Sequence, residues 1–363
     1  MKIGILTYHR SHNYGALLQA VALRYELKKM GHEVFYIDYW PRYHKSMYDL
    51  FTFYTLVHSG VRGGLRYLYK TFRYYQQKKE RITNFESFIE RFITPYCGKT
   101  EDTYDMIVHG SDQIWRKQLG KAYNPVYFGV HDNIQCKSNI SYAASMGDIS
   151  KSPKDTEILK KYLSHLDRIS VREADLLTLV HGLGFTDATL GMDPTFLLSK
   201  EEWERLIPEQ NCHSEKYLLY YKLLDNSFNE EAVYAFAKLR GWNVRVLFGN
   251  ATTTKENDHS ICTAGPTEFI SLVRNAEFVF TSSYHGLAFS LIFQKPFYAA
   301  FSIGSGRAKS ILEKLNLMDY LLLPMAHIPQ TYSPIDYVMI TKKIREMNKD
   351  SILYLKNINS ILN

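Results

Sequence analysis

Cysteine is scarce: Cys97, Cys136, Cys212 and Cys262 are the four in 363 residues, widely spaced and with no C-x-x-C. That spacing suggests neither a zinc cage nor a disulfide framework and leaves reduced, mostly buried thiols. Long apolar runs are missing too, since nothing approaches the roughly 18 consecutive apolar residues of a membrane-spanning helix. Neither G-x-G-x-x-G nor G-x-x-x-x-G-K-[ST] occurs, which disfavours a standard dinucleotide or P-loop site. There is no D-x-D pair either, so no metal and no cofactor are expected. Met1-Lys2 runs straight into a strand-like segment rather than a signal peptide, and the expected compartment is the cytoplasm.

What is present is a chain 45% hydrophobic and long enough for more than one core. Lys2–Tyr8 reads as a buried strand. Apolar residues at Leu17, Leu18, Val21 and Tyr25 then follow helical spacing, Gly31 stops the helix, and His32–Tyr39 returns as a second strand. This βαβ opening predicts a parallel sheet. Further strands are expected at Tyr104–Val108, Ser138–Ala144 and Arg168–Val171, with a helix at Pro153–Leu166. After Asp193-Pro194-Thr195 the polar stretch Leu198–Glu202 opens a second unit with the same rhythm. Strands there are Tyr217–Tyr221, Asn243–Phe248, Phe278–Thr281 and Pro296–Phe301, alternating with helices. The expected fold class is α/β, two Rossmann-like domains with parallel sheets facing a cleft. The domains are residues 1–198 and 199–335, and a C-terminal helix in 336–363 crosses back onto the first.

The net charge of +7 is unevenly placed. Residues 40–96 carry ten basic and four acidic side chains, amid runs such as Tyr67-Leu68-Tyr69-Lys70-Thr71-Phe72-Arg73-Tyr74-Tyr75. This inserted helical, basic and aromatic segment is either an ordinary helical excursion or a surface for anionic membrane or a phosphorylated lipid carrier. Nucleic acid is not expected, because no recognised motif accompanies the charge.

Open α/β sheets bind ligands at the carboxyl ends of their strands, so the candidate chemistry lies in the loops that follow strands. Asn13-Tyr14-Gly15 open the first helix, where free N–H groups attract an anion and glycine allows close approach, unless these residues only shape the turn. Ser111-Asp112-Gln113-Ile114-Trp115 follow another strand; Asp112 is placed to orient or deprotonate a sugar hydroxyl, or else to cap a helix. His285, between Ser283-Tyr284 and Gly286, sits at a strand-to-helix turn, where a histidine can act as acid or base. Gly304-Ser305-Gly306-Arg307-Ala308-Lys309 brings cations to another helix start, and Arg172 ends the strand before Glu173.

In order along the chain, Asn13-Tyr14-Gly15-Ala16-Leu17-Leu18-Gln19-Ala20, Gly110-Ser111-Asp112-Gln113-Ile114-Trp115, Ser141-Tyr142-Ala143-Ala144-Ser145, Ser170-Val171-Arg172-Glu173, Asp193-Pro194-Thr195 and Ser283-Tyr284-His285-Gly286 resemble the polysaccharide pyruvyl transferase family. The resemblance spans roughly residues 3 to 316. It implies a fold like that of GT-B glycosyltransferases, phosphoenolpyruvate as co-substrate and donor, and a sugar of a bacterial surface polysaccharide, or its lipid-linked oligosaccharide precursor, as acceptor. It also associates His285 and arginines of the cleft with the donor; on the residues themselves, His285 is the expected general acid and Asp112 the group on the acceptor. The donor would be held by Arg172, Arg307, Lys309, Ser283, Asn13, Tyr14 and Gly15, and the acceptor by Ser111, Gln113 and Trp115. Many family members carry arginine two residues before the histidine, where this chain has Ser283, so Arg172 or Arg307 must compensate. Two rivals remain on the same fold: a nucleotide-sugar glycosyltransferase, and a non-catalytic subunit of a polysaccharide-assembly complex.

Overall fold

The computed structural model describes residues 1–361 except 46–47, 49, 52–59, 118–121, 132, 148, 150–151, 209–214, 224–226, 250–259 and 302–305. Cys212, Gly304, Ser305 and part of the aromatic run after Phe51 therefore lie outside the described residues.

Strands β1 (Lys2–Leu6), β2 (Glu33–Ile37), β3 (Cys97–Gly98), β4 (Thr103–His109) and β5 (Gln135–Ser141) form a parallel sheet of order β3-β2-β1-β4-β5. A parallel pair, β6 (Ser170–Val171) and β7 (Thr189–Leu190), continues beyond β5 through bridges at Ile140–Arg168 and Ala144–Val171. The second sheet is built from β8 (Tyr217–Lys222), β9 (Asn243–Phe248), β10 (Ser260–Ile261), β11 (Phe278–Thr281), β12 (Phe297–Ala300) and β13 (Leu321–Leu322). Its order is β10-β9-β8-β11-β12-β13, again parallel throughout. Both orders start in the middle, run to one edge and restart on the other side. This is the Rossmann-type arrangement, and its topological switch lies beside β1 and β8. Two such sheets facing one cleft make the architecture GT-B-like.

The strands β1, β8, β11 and β12 are buried on both faces along nearly their whole length, which is why these segments read as continuous apolar runs rather than alternating ones. Helix Tyr14–Lys29 lies deep, with twelve of its sixteen residues buried, and Asn13 caps it by accepting from the Ala16 N–H at 3.2 Å. The sequence places strands 243–248 and 278–281 at the observed bounds, with helix Pro266–Asn275 between them. Tyr284–Ile292 begins earlier than its apolar pattern, because the Ser283 side chain caps it.

The basic, aromatic excursion contains helices Gly60–Arg73 and Tyr75–Phe92. The second helix is not a free appendage. Its Arg81 guanidinium, almost fully buried, donates to Tyr14 Oη (3.1 Å), to the Cys262 carbonyl (3.2 Å) and to the Gly249 carbonyl (3.1 Å). Asn84 donates to the Thr263 carbonyl at 2.9 Å, so this helix ties the strand ends of the second sheet to the first helix of the chain. The C-terminal helix Tyr337–Lys356 meets the first half as well. Tyr354 donates to the Ser141 carbonyl at 2.7 Å, and Met192 N–H donates to Ser351 Oγ at 2.9 Å.

Candidate active site

The carboxyl ends of β1, β4 and β11 converge on a polar cavity of about 340 Å³. Asn13, Gly15, Asp112, Gln113, Ser283, His285 and Arg307, all singled out in the sequence, line it, joined by Tyr8, His44 and Arg116. A second cavity of about 230 Å³ opens on the far side of Tyr284, bordered by Arg172, Asp193, Lys314 and Asp350. Tyr284 and Arg307 belong to both.

Between the cavities lies a buried ionic cluster. Asp193 ends the loop after β7 in a turn that accepts from Thr195 N–H (3.0 Å) and Thr195 Oγ1 (2.7 Å). Its other oxygen accepts a short hydrogen bond from Arg172 Nη1 and stands 3.5 Å from His285 Nε2. Burial would raise the Asp193 carboxyl, but Arg172 and His285 hold it well below the usual carboxylate range. Arg172 also reaches toward Glu173 (3.6 Å) and Asp112 (4.0 Å), yet its Nε and Nη2 have no hydrogen-bond partner, nor has His285 Nε2. Buried donors left in that condition are uncommon and mark places where a ligand or a proton is received.

Glu173 accepts from Ser145 Oγ at 2.5 Å and stands 3.8 Å from Arg307. Burial pushes its carboxyl up toward the neutral acid, against the pull of Arg172. Burial and then the like charge of Arg172 push Arg307 down, though an arginine stays cationic. The Tyr284 ring sits between the two guanidinium groups, 5.2 Å from Arg172 and 5.4 Å from Arg307, so its face offsets part of their mutual repulsion. At the cavity rim burial lowers His44 to about 4, which keeps it neutral at pH 7; it pairs with Ser11 Oγ at 3.2 Å.

Gly15 explains how the two halves close on one another. A Cβ there would fall 1.9 Å from His285 Nδ1, so only glycine lets the imidazole from β11 lie against the helix that follows β1. Asp112 is held at φ 70°, a left-handed conformation that aspartate tolerates better than most residues, and its side chain reaches the cavity.

Four sequence-derived candidates lie elsewhere. Trp115 is fully buried, stacked on Phe128 with its N–H donated to the Tyr127 carbonyl at 2.9 Å, and serves the core rather than the acceptor. Ser111 is equally buried, its hydroxyl donated to the Ala143 carbonyl. Tyr14 stacks between Phe85 and Phe269 and donates to the Ala264 carbonyl, so it joins the halves instead of bordering the cavity. Lys309 faces solvent and pairs with Glu313 at 3.6 Å. In the other direction, the sequence reading assigned no role to Asp193, Glu173, Tyr284, His44, Tyr8 or Arg116. Asp193-Pro194-Thr195 was visible as a motif, but its partners are 21 and 92 residues away and only tertiary structure joins them.

One group of potential metal ligands exists among the described residues: His9, Asp38 and Cys97 bring ligand atoms within 4.8 Å of one another at the ends of β1, β2 and β3. Arg10 donates to Asp38 at 2.7 Å and lies 3.8 Å from Cys97 Sγ, so a guanidinium already supplies the positive charge there.

Fold and site together define a two-sheet α/β protein with a histidine, a carboxylate and arginines converging from both halves on one cleft. The polysaccharide pyruvyl transferase family model matches residues 13–304, and the chain belongs to that family. No curated protein matches the sequence. Among solved structures, a UDP-GlcNAc 2-epimerase from Methanocaldococcus jannaschii aligns at 13% identity over 96% of this chain and 92% of its own, with a TM-score of 0.47. One from Neisseria meningitidis bound to UDP-GlcNAc aligns at 8% identity over 100% and 96%, TM-score 0.45. The glycosyltransferase SnogD from Streptomyces nogalater aligns at 10% identity over 97% and 95%, TM-score 0.42.

Proposed function

We propose that this transferase moves the enolpyruvyl group of phosphoenolpyruvate onto two hydroxyls of one sugar in a bacterial surface polysaccharide or its lipid-linked precursor, forming a pyruvate ketal. The observation that carries this reading is the Asp193 carboxylate shared between Arg172 and His285, with Arg307 and Asp112 bordering the cavity that His285 lines. An enol phosphate becomes electrophilic when its methylene carbon takes a proton. His285, with Asp193 beside Nε2, is suited to present a proton through Nδ1, the nitrogen nearest Gly15. Protonation gives an oxocarbenium-like carbon stabilised by its phosphate oxygen. One sugar hydroxyl adds, the C–O bond to phosphate breaks, and a second hydroxyl closes the ketal. Of the two hydroxyl protons, one returns to His285 and the other leaves with phosphate.

In this reading Arg307, shared by both cavities, takes the donor's negative charge, with the unpartnered guanidinium nitrogens of Arg172 behind it. Asp112 and Gln113 face the acceptor. Burial disfavours the charged form of Glu173, which weakens its hold on the two arginines and favours an incoming anion. A lipid-linked acceptor would set the enzyme at the inner face of the cytoplasmic membrane.

The test is the melting temperature with phosphoenolpyruvate and, separately, with UDP- and GDP-sugars. A ligand at 100 times its dissociation constant adds about 2.7 kcal/mol of stability. A rise with phosphoenolpyruvate that Arg307→Ala abolishes supports pyruvyl transfer; a rise with nucleotide-sugars alone transfers the reading to glycosyl transfer. His285→Ala is expected to lower kcat by about 10²–10⁴-fold, the usual contribution of a positioned acid. A loss under tenfold rejects the histidine's role.

A further inference from the structure

Helix Gly60–Arg73 is amphipathic in an unusual sense. Gly64 and Thr71 lie on its buried side, whereas Leu65, Tyr69 and Phe72, at i, i+4 and i+7, form a stripe that is 63%, 66% and 76% exposed. Exposed Arg62, Arg66 and Arg73 fall on the adjoining stripe, about 70° around the helix at about 100° per residue. From residue 60 through 79 there are six basic residues and no acidic one. Ordinary surface helices turn their apolar face inward and offset cations with i, i+4 acids; this one does neither.

We infer that this face docks on an anionic lipid bilayer, with Leu65, Tyr69 and Phe72 entering the headgroup boundary and the arginines meeting lipid phosphates. The charge decides the occupant. A protein partner or a second copy would be served by the apolar stripe alone, whereas a row of arginines in an interval, residues 60–79, that carries no acid matches a surface of one sign. Tyr69 has a wet end suited to the interface, and the long arginine stems can lie along the apolar boundary with their heads in the phosphate layer. The same excursion supplies His44 and Tyr48 to the cavity rim, so docking here would bring the cavity to the surface from which a lipid-linked acceptor is presented. That purpose rests on the lipid-linked acceptor proposed above; the docking itself does not.

The experiment is co-sedimentation of the full chain with vesicles of phosphatidylcholine alone and of phosphatidylcholine with phosphatidylglycerol, in 0.1 and 0.5 M salt, without substrate. Salt at these concentrations separates screened surface attraction from apolar insertion. Expected is binding to the anionic vesicles that falls at high salt, weakens about 30-fold in Arg66→Gln/Arg73→Gln (two cations at about 1 kcal/mol each) and is lost in Tyr69→Ser/Phe72→Ser. Equal binding to both vesicle types, binding to neither, or variants that bind like the parent would overturn the inference. So would a dimer seen by light scattering that Phe72→Ser abolishes, since the stripe would then belong to a second copy. All altered side chains are exposed, so unchanged melting temperatures separate lost docking from lost folding. Because no donor is present, vesicle binding can fail while the phosphoenolpyruvate melting shift succeeds, and the reverse.

Discussion

Replacing Asp193 by Asn keeps the shape of the side chain and removes the charge that Arg172 and His285 share. The amide still accepts from Thr195, so the turn before Pro194 survives. What is lost is the partner of a buried guanidinium, a change that costs about 3–5 kcal/mol when a cation is left uncompensated. Glu173 at 3.6 Å and Asp112 at 4.0 Å absorb part of that, which puts the expectation near the lower end. Unfolding entropy of about 2.1 cal/mol/K per residue over 363 residues converts about 3 kcal/mol into a melting shift of about 4 °C, if both halves unfold together. Turnover should fall more steeply, about 10²-fold or beyond, because His285 loses the group that orients it. The pH dependence supplies an independent check. Asp193 is held below its ordinary value of 3.8, so its contribution is complete above that value and is lost as acid protonates the folded state. The Asn variant should therefore lose less stability than the parent on acidification. A cycle with Arg172→Met should show a double variant less destabilised than the sum of the singles by about 1–3 kcal/mol. Additive losses, or an Asn variant that melts and turns over like the parent, would refute the shared-carboxylate argument.

Gly15→Ala should cost about 1–3 kcal/mol of stability through overpacking and lower kcat by about 10²-fold, because the new methyl displaces the buried His285 ring and a misplacement of about 1 Å is that costly. His44, held at about 4 against an ordinary 6.5, favours folding fully above pH 6.5, and that contribution is lost as pH falls toward 4. The shift corresponds to about 3 kcal/mol, so His44→Gln should flatten the melting profile between those limits. Arg81→Ala removes three hydrogen bonds from a charged donor to Tyr14, Cys262 and Gly249. Calorimetry should show a loss of about 3–5 kcal/mol and unfolding that separates into two transitions; a single unshifted transition would mean this helix does not tie the halves.

Much of the architecture can be read locally. Alternation of buried strands with amphipathic helices dictates parallel sheets wherever it occurs, and Asn13, Ser283 and Asn229 announce helix starts through their own side chains. Glycine at 15 and histidine at 285 are likewise legible as residues suited to a strand-to-helix turn. What no local pattern contains is that each requires the other, since 270 residues separate the glycine from the imidazole that fills its missing Cβ. The same holds for Asp193, whose role depends on Arg172 and His285 arriving from different strand ends. Trp115 shows the converse: its position after a strand suggests a cleft, but its apolar bulk and single N–H were satisfied inside the core by Phe128 and the Tyr127 carbonyl. Periodicity and turn chemistry are properties of neighbouring residues, so the sequence by itself determined the two sheets and the loops from which a site could be built. Desolvation, ion pairing and close approach depend on which strand ends meet, and only the tertiary structure decided which of those loop residues became the site.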